Sequence, residues 1–530
     1  MGNSTLKFFA ASRTTLSSLT SFFDYKDKFE QPATASVAIY SSIIFFTFIF
    51  LLQKAWSRIH DKNLFKTWGS QKPVWYPHKD PILGLDVLLE SAKAVTQGLL
   101  LEMTNGFFSE FGRTISWLHL GRQAILTVDP DNLKALLATK FHDFGLGAER
   151  MNALQPLFGS GIFNSDGETW QHQRMTLRPF MARVGACELA IFETHIQQLL
   201  STFPTNLDTI EIQKSLSSFT LDVSTEVFLG KSTNLLSSTS LAGERFAAAF
   251  DYAQRTLYGE DKFSSSLDEI HDFIDNVLDE SRAASKDTAC TDRDQSFLAS
   301  VLDQGRTREE LKADILNIVL AGKDTMATHL SSIWHFLSQN PSAYARLRSE
   351  ISVLNSQPPT KDDLNRFPYL NNFLKEVLRL QPPVALNQRT AIRDTYIPHG
   401  AGPDGLSPLR VPQGASVGYS VYAMHRLSEY FGDDAEVFRP ERWETIRPHW
   451  AFVPFHAGPR MCLGRTDNLC ATEQYALALA KYSTIRLIQH IQAVEDRNEF
   501  PWTEKLGMVC SSMHGVKVAL VFDKKIEAKA

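Results

Sequence analysis

At 530 residues, 43% of them hydrophobic and 21% charged, the chain has an ordinary globular composition and can bury a large core. Its formal net charge of −5 gives no sign of a nucleic-acid binder, although a local basic patch for an acidic protein partner is compatible with that total. Five cysteines, Cys187, Cys290, Cys462, Cys470 and Cys510, are widely spaced with no C-x-x-C pair; this argues against a disulfide framework or zinc knuckle and for reduced thiols in a cytosol-facing body.

The first predicted element is the uncharged run from Ser36 to Leu52. It has no polar face and is just long enough to cross a hydrocarbon core of roughly 30 Å. We expect a single transmembrane anchor over residues 36–53. Lys54, Arg58, Lys62 and Lys66 follow it, opposed only by Asp61, whereas Lys26 and Lys28 before it are balanced by acids. The basic excess places the C-terminal body in the cytosol and residues 1–35 in the lumen. There Asn3-Ser4-Thr5 forms a glycosylation acceptor pattern. Residues 54–84, basic and then punctuated by Pro73, Pro77 and Pro81, read as a hinge leading to a body over 85–530.

A helical pattern dominates from Leu85 to Asn340, broken by a polar loop over Ala284–Gln295. The capping box Thr307-x-x-Glu310 starts a helix of about thirty residues that stops at Asn340-Pro341. A second helix covers Tyr369 to Leu380, before Pro382-Pro383. Arg410 to Val421 predicts short strands with Val417, Tyr419 and Val421 on one face. The fold class is mostly α with a minor β region late in the chain.

The segment Phe455-His-Ala-Gly458-Pro-Arg460-Met-Cys462-Leu-Gly464 carries the chemistry. It is a glycine-rich loop delivering one sulfur at the start of a helix, where backbone N–H groups favour a thiolate. Gly458 and Gly464 permit tight turns and close approach to a flat cofactor. Phe455 can shield the sulfur, and Arg460 can grip a carboxylate through two parallel bonds. A lone cysteine is more often a buried packing residue. Here the flanking pattern and three further motifs oppose that reading.

Phe455, Gly458, Arg460, Cys462 and Gly464 match every fixed position of the cytochrome P-450 haem-binding signature, and the chain resembles that superfamily over nearly its whole length. The resemblance implies a cytochrome P-450 fold behind the anchor, haem b as cofactor and Cys462 as the axial iron ligand. A thiolate ligand pushes electron density toward bound dioxygen. Ala321-Gly322-Lys323-Asp324-Thr325 resembles the oxygen-activation motif: the small residue and glycine open space over the haem, Thr325 hydrogen-bonds the dioxygen, and Asp324 is a nearby acid. Glu376 and Arg379, with Arg442, match the family's buried ion network. Trp170 and Arg174 match residues that reach the haem propionates, and Arg389 is a further candidate for that role. After Gly464 the stretch RTDNLCATEQ is shifted by about two residues from the family spacing, so we expect an irregular start to the following helix.

With no flavin domain, P-loop or dinucleotide fingerprint, electrons must come from outside. The anchored type implies an NADPH-cytochrome P-450 reductase as partner and the endoplasmic reticulum membrane as location. Several framework passages, among them Gly161 to Gly167 and Tyr422 to Arg426, resemble fungal alkane and fatty-acid hydroxylases. Ile318, Ala321, Val384 and Leu386 are candidates to face substrate. The implied activity is a monooxygenase acting on a lipophilic substrate, an alkyl chain or a hydrophobic secondary-metabolite intermediate; terminal hydroxylation of fatty acids or n-alkanes is the alternative. A haem-thiolate isomerase, dehydratase or sensor would have no need of Thr325, whose presence argues against those classes.

Overall fold

The computed structural model describes residues 67–183, 189–237, 240–255, 261–284, 296–302, 305–463 and 475–523, together with Ser41 and Phe48. Apart from those two residues, the predicted anchor lies outside the described residues, as do Asn3, the 285–295 part of the polar loop, Gly464 and the shifted stretch after it. Among the described residues no helix is long and apolar enough to cross a membrane.

Two helices open the body, α1 (Leu85–Gln97) and α2 (Leu100–Phe111). A hairpin follows, β1 (Thr114–His119) and β2 (Arg122–Thr127). Its two-residue turn, Leu120-Gly121, has positive φ at both positions, which matches the twist of paired strands. The β region is therefore not confined to the late part of the chain. The five-stranded sheet takes its edge from this hairpin and runs in the order β1-β2-β7-β4-β3. Here β3 is Phe144–Gly145, β4 is Leu386–Ala391 and β7 is Ser416–Ser420; β5 (Thr395–Ala401) and β6 (Ser407–Val411) pair separately. Register is set by the buried face of β7: Val417 and Tyr419 are both fully buried, and Asn387 lies opposite Tyr419. Val421 leaves this pattern and starts a short helical turn capped by the Ser420 hydroxyl, which accepts from the Ala423 N–H at 3.0 Å. From Pro73 the proline-rich segment is bound to the body: Pro73 bridges to Ala401 and Trp75 to Ser116.

The helical layer comprises α3 (Ala148–Phe158), α4 (Gly167–Arg183), α5 (Leu189–Thr202), α6 (Ile212–Leu229), α7 (Leu241–Arg255), α8 (Asp261–Ala284), α9 (Arg308–Gln339), α10 (Pro341–Ile351), α11 (Pro368–Leu380) and α12 (Tyr475–His490). The C-terminal strands are β8 (Ile491–Asp496), β9 (Glu504–Leu506), β10 (Cys510–Ser512) and β11 (Lys517–Phe522). The expected capping box begins α9: Thr307 Oγ1 accepts from the Glu310 N–H at 3.2 Å, and Glu310 accepts from the Thr307 N–H at 2.9 Å. At 32 residues α9 is about 48 Å long, enough to cross the whole body. It is the spine of the largest core cluster, which also takes in Phe219 and Phe228 of α6, Phe246 and Phe250 of α7, and Trp334 of α9 itself.

Candidate active site

The cysteine loop is shaped by its backbone before any ligand is considered. Cys462 N–H donates to Phe455 C=O at 3.0 Å, and Met461 N–H to Gly458 C=O at 3.0 Å. Gly458 has φ +69°, and a Cβ there would fall 1.8 Å from the carbonyl oxygen of Leu137. That oxygen belongs to a π-helical turn, Ala135–Thr139. Sequence reasoning assigned the glycine to close approach of a cofactor; the neighbour that requires it is this backbone turn. The Cys462 side chain lies on the accessible side of the loop, and neither it nor Cys510 is in a disulfide.

A surplus of positive charge surrounds this loop. Arg460 stands over the Trp170 ring, 4.4 Å from its centroid, and donates to Ser165 C=O at 2.8 Å and to Asp166 Oδ1 at 2.5 Å. Arg174, one turn after Trp170 on α4, donates to Met461 C=O at 2.9 Å, beside Cys462. Burial lowers the Arg174 pKa, and the Cys462 thiolate pulls the other way. Arg389, on β4, is buried and bonds the Gln388 carbonyl at 2.8 Å. Arg150, near the start of α3, donates to Asn387 Oδ1 at 3.1 Å. Burial pushes both Arg150 and Arg460 down to about 10, and repulsion from Arg389 adds to it in each. Burial, then Arg389 and Arg150, push His456 to about 3, so its imidazole is neutral. Its Nε2 lies 3.2 Å from the Asn387 amide. Among the described residues these groups face one carboxylate, Asp166, whose other oxygen accepts from Leu146 N–H at 2.7 Å. Several guanidiniums in a dry setting with so little opposing charge call for an anion of more than one charge.

The second half of the site is a window on α9. From Ala313 to Ser338, all residues but Ala321, Asp324 and Thr325 are buried. The spacing of these three puts them on one face, and Ile318 precedes them on the same side. The Thr325 hydroxyl donates to Ala321 C=O at 2.6 Å. Gly322 does not open this window. A Cβ on it would meet Ser224 Oγ at 2.6 Å and Phe228 at 2.8 Å, so the glycine permits close packing of α6 on α9. Val384 and Leu386 alternate as partly exposed residues around buried Ala385. The helix α3 joins the two halves: Arg150 enters the arginine group, while the Phe158 carbonyl accepts from Asn317 Nδ2 of α9 at 3.0 Å.

Behind the site, Glu376, Arg379 and Arg442 are all but fully buried and meet as expected. Arg379 makes two bonds to Glu376, at 2.9 and 2.8 Å, and Arg442 Nε donates to Glu376 Oε1 at 2.9 Å. Trp443 Nε1 donates to Oε2 at 3.0 Å, and Asp434 takes Arg442 at 3.0 Å. Asp434 also takes Arg439 at 3.0 Å, and backbone carbonyls take the remaining protons of the two buried guanidiniums. This network fixes the chain from α11 to the segment before the cysteine loop.

Sequence reasoning missed Arg150, Asp166 and His456. None sits in a spacing pattern that carries chemistry by itself; their role is visible only once β4, α3 and the loop converge.

A thiol set beside an unbalanced group of partly buried guanidiniums is the donor set of a haem-thiolate protein, and that is the class this fold and site define. The cytochrome P450 family model matches residues 79–466. Cytochrome P450 monooxygenase FPY7 of Fusarium mangiferae is 35% identical over 466 residues, 84% of this chain and 88% of that protein. Cytochrome P450 monooxygenase himC of Aspergillus japonicus is 35% identical over 516 residues, covering 93% and 91% of the two chains. Cytochrome P450 52A3-B of Candida maltosa is 35% identical over 474 residues, covering 82% and 89%. The chain belongs to the cytochrome P450 family and is a haem-thiolate monooxygenase. The family's cofactor is haem iron held by a cysteine thiolate, with electrons typically supplied by a reductase. The described residues fit that group: Cys462 as an accessible thiol, and an arginine surplus that the two propionates would neutralise.

Proposed function

We propose that Cys462 would ligate the iron of haem b through its thiolate, and that Trp170, Arg174, Arg389 and Arg460, joined by Arg150, would hold its propionates. The observation that carries this is the unbalanced positive charge of the group around the cysteine loop. When bound, haem supplies dioxygen activation. The chain's own residues do the rest. Phe455, on the cysteine loop, screens the sulfur from water. Thr325 presents a hydroxyl, and Asp324 an acid, on the one accessible face of α9, where they hold and pass protons. Ile318, Ala321, Val384 and Leu386 offer an apolar surface to substrate. That surface supports a lipophilic substrate, an alkyl chain or hydrophobic secondary-metabolite intermediate, into which one oxygen atom of O2 is inserted. Resemblance of framework segments to fungal hydroxylases keeps the terminal position of fatty acids or n-alkanes as the other reading.

Residues 36–53 anchor the chain in the endoplasmic reticulum membrane, with the body cytosolic and an NADPH-dependent reductase as electron donor; the uncharged run and the lysines after it support this. The test is the carbon monoxide difference spectrum of the reduced protein in microsomes, beside Cys462→Ser. A red-shifted Soret band in the parent and its loss in the variant is the expected result. A parent haem protein without that band overturns the ligand assignment. Spin-state titration with fatty acids, alkanes and bulkier lipophiles then separates the two substrate readings.

A further inference from the structure

Lys323 is 2% exposed, yet its ammonium meets two carboxylates. One is Asp251, near the end of α7; the other is Asp324 Oδ1, at 2.8 Å. Phe250, fully buried beside Asp251, holds its ring 5.7 Å from the same ammonium. Two consecutive residues of α7 thus dock on one side chain of α9, the neighbour of Asp324. The second oxygen of Asp324, Oδ2, is buried and has no hydrogen-bond partner among the described residues. A buried carboxylate oxygen with no donor calls for a water or a proton.

One cation between two anions cannot serve both fully. Held by Lys323 alone, the Asp324 carboxylate would be tied through Oδ1 to a fixed ammonium; with Asp251 drawing on the same ammonium, that hold is divided. Burial by itself would lower the lysine pKa, but Asp324 and then Asp251 outweigh it and raise it, so the charge being shared stays in place.

We propose that Asp251 is a positioning residue for proton delivery: by dividing Lys323 with Asp324, it makes the hold of Lys323 on the Asp324 carboxylate depend on how α7 is seated on α9. The proposal rests on the reading of Asp324 as the proton-delivering acid. The seating of α7 then sets how freely the Asp324 carboxylate can turn and relay protons, with no contact between Asp251 and substrate.

The test uses the full chain in microsomes with its reductase, comparing the parent with Asp251→Asn, Asp251→Glu and Asp324→Asn. For Asp251→Asn we expect the carbon monoxide band and the spin-shift affinity for substrate to stay within about twofold of the parent. Product formation should fall roughly tenfold, with a larger solvent deuterium isotope effect and more hydrogen peroxide released per NADPH. Asp251→Glu should recover most of the coupling, because it restores the charge. A parental isotope effect and coupling in Asp251→Asn overturns the proposal. So does a loss shared by haem content and substrate affinity, which marks a packing role. If Asp324→Asn also leaves the isotope effect unchanged, the reading of Asp324 itself fails; if only Asp251→Asn is silent, Asp324 keeps its role and the positioning role of Asp251 falls.

Discussion

At residue 458, φ is +69° and the Leu137 carbonyl occupies the space a side chain needs. The backbone alone would cost an alanine about 1–3 kcal/mol, and the overlap adds to that. We expect Gly458→Ala to accumulate as protein with little bound haem; the ratio of Soret to protein absorbance measures it. Glu376 presents the opposite case, a side chain that cannot be removed. Glu376→Ala leaves the buried Arg379 without its carboxylate, at a cost of roughly 3–5 kcal/mol. Haem-loaded protein should then be absent, and a Glu376→Ala protein with parental haem content would refute the network's folding role. Both residues were visible in the sequence as motif positions. What held them was not: Gly458 answers to Leu137, more than three hundred residues earlier in the chain, and Glu376 also takes the Trp443 indole.

The elements differ in how openly they declare themselves. The helix α9 was legible because a capping box marks its start and Asn340-Pro341 its end, both local signals. Removing the cap by Thr307→Ala should cost about 1 kcal/mol and lower the thermal midpoint by about 1 °C, without changing the carbon monoxide band. The hairpin β1–β2 was hidden inside a stretch read as helical, because Leu120-Gly121 lacks the Asn-Gly or Asp-Gly signal of such turns. Gly322 shows the same limit in a motif. Its neighbours in sequence suggested room for dioxygen, but the packing partner is Ser224 of α6, which no local pattern names.

Across the whole molecule, several ionisable groups are buried in the form that acid disfavours. Burial pushes His425 and His456 to about 3 and His329 to about 4. In the unfolded chain each takes a proton near pH 6.5, so the unfolded state binds more protons below that pH and folding weakens as pH falls. Asp314 works the other way. Burial raises it to about 6 despite its Arg306 partner, so the folded state binds the extra proton between about pH 4 and 6 and regains part of the loss. Each histidine contributes about 1.4 kcal/mol per pH unit below 6.5. We expect the denaturation midpoint to fall markedly from pH 7 to pH 5, and replacing His425 with asparagine to flatten that dependence. An unchanged midpoint at pH 5 would show that these imidazoles are not neutral in the fold.

The sequence by itself picked out Cys462, Asp324, Thr325 and the three ion-network residues as candidates, through short patterns that resemble those of the family. It also determined the long helix, whose boundaries are local. The tertiary structure alone decided which charges meet. Arg150, Arg389, Arg460 and Asp166 come from separate segments, and Asp251 reaches Lys323 across the gap between two helices. Electrostatics depends on distance in space and on burial, and neither is written in the order of residues along the chain.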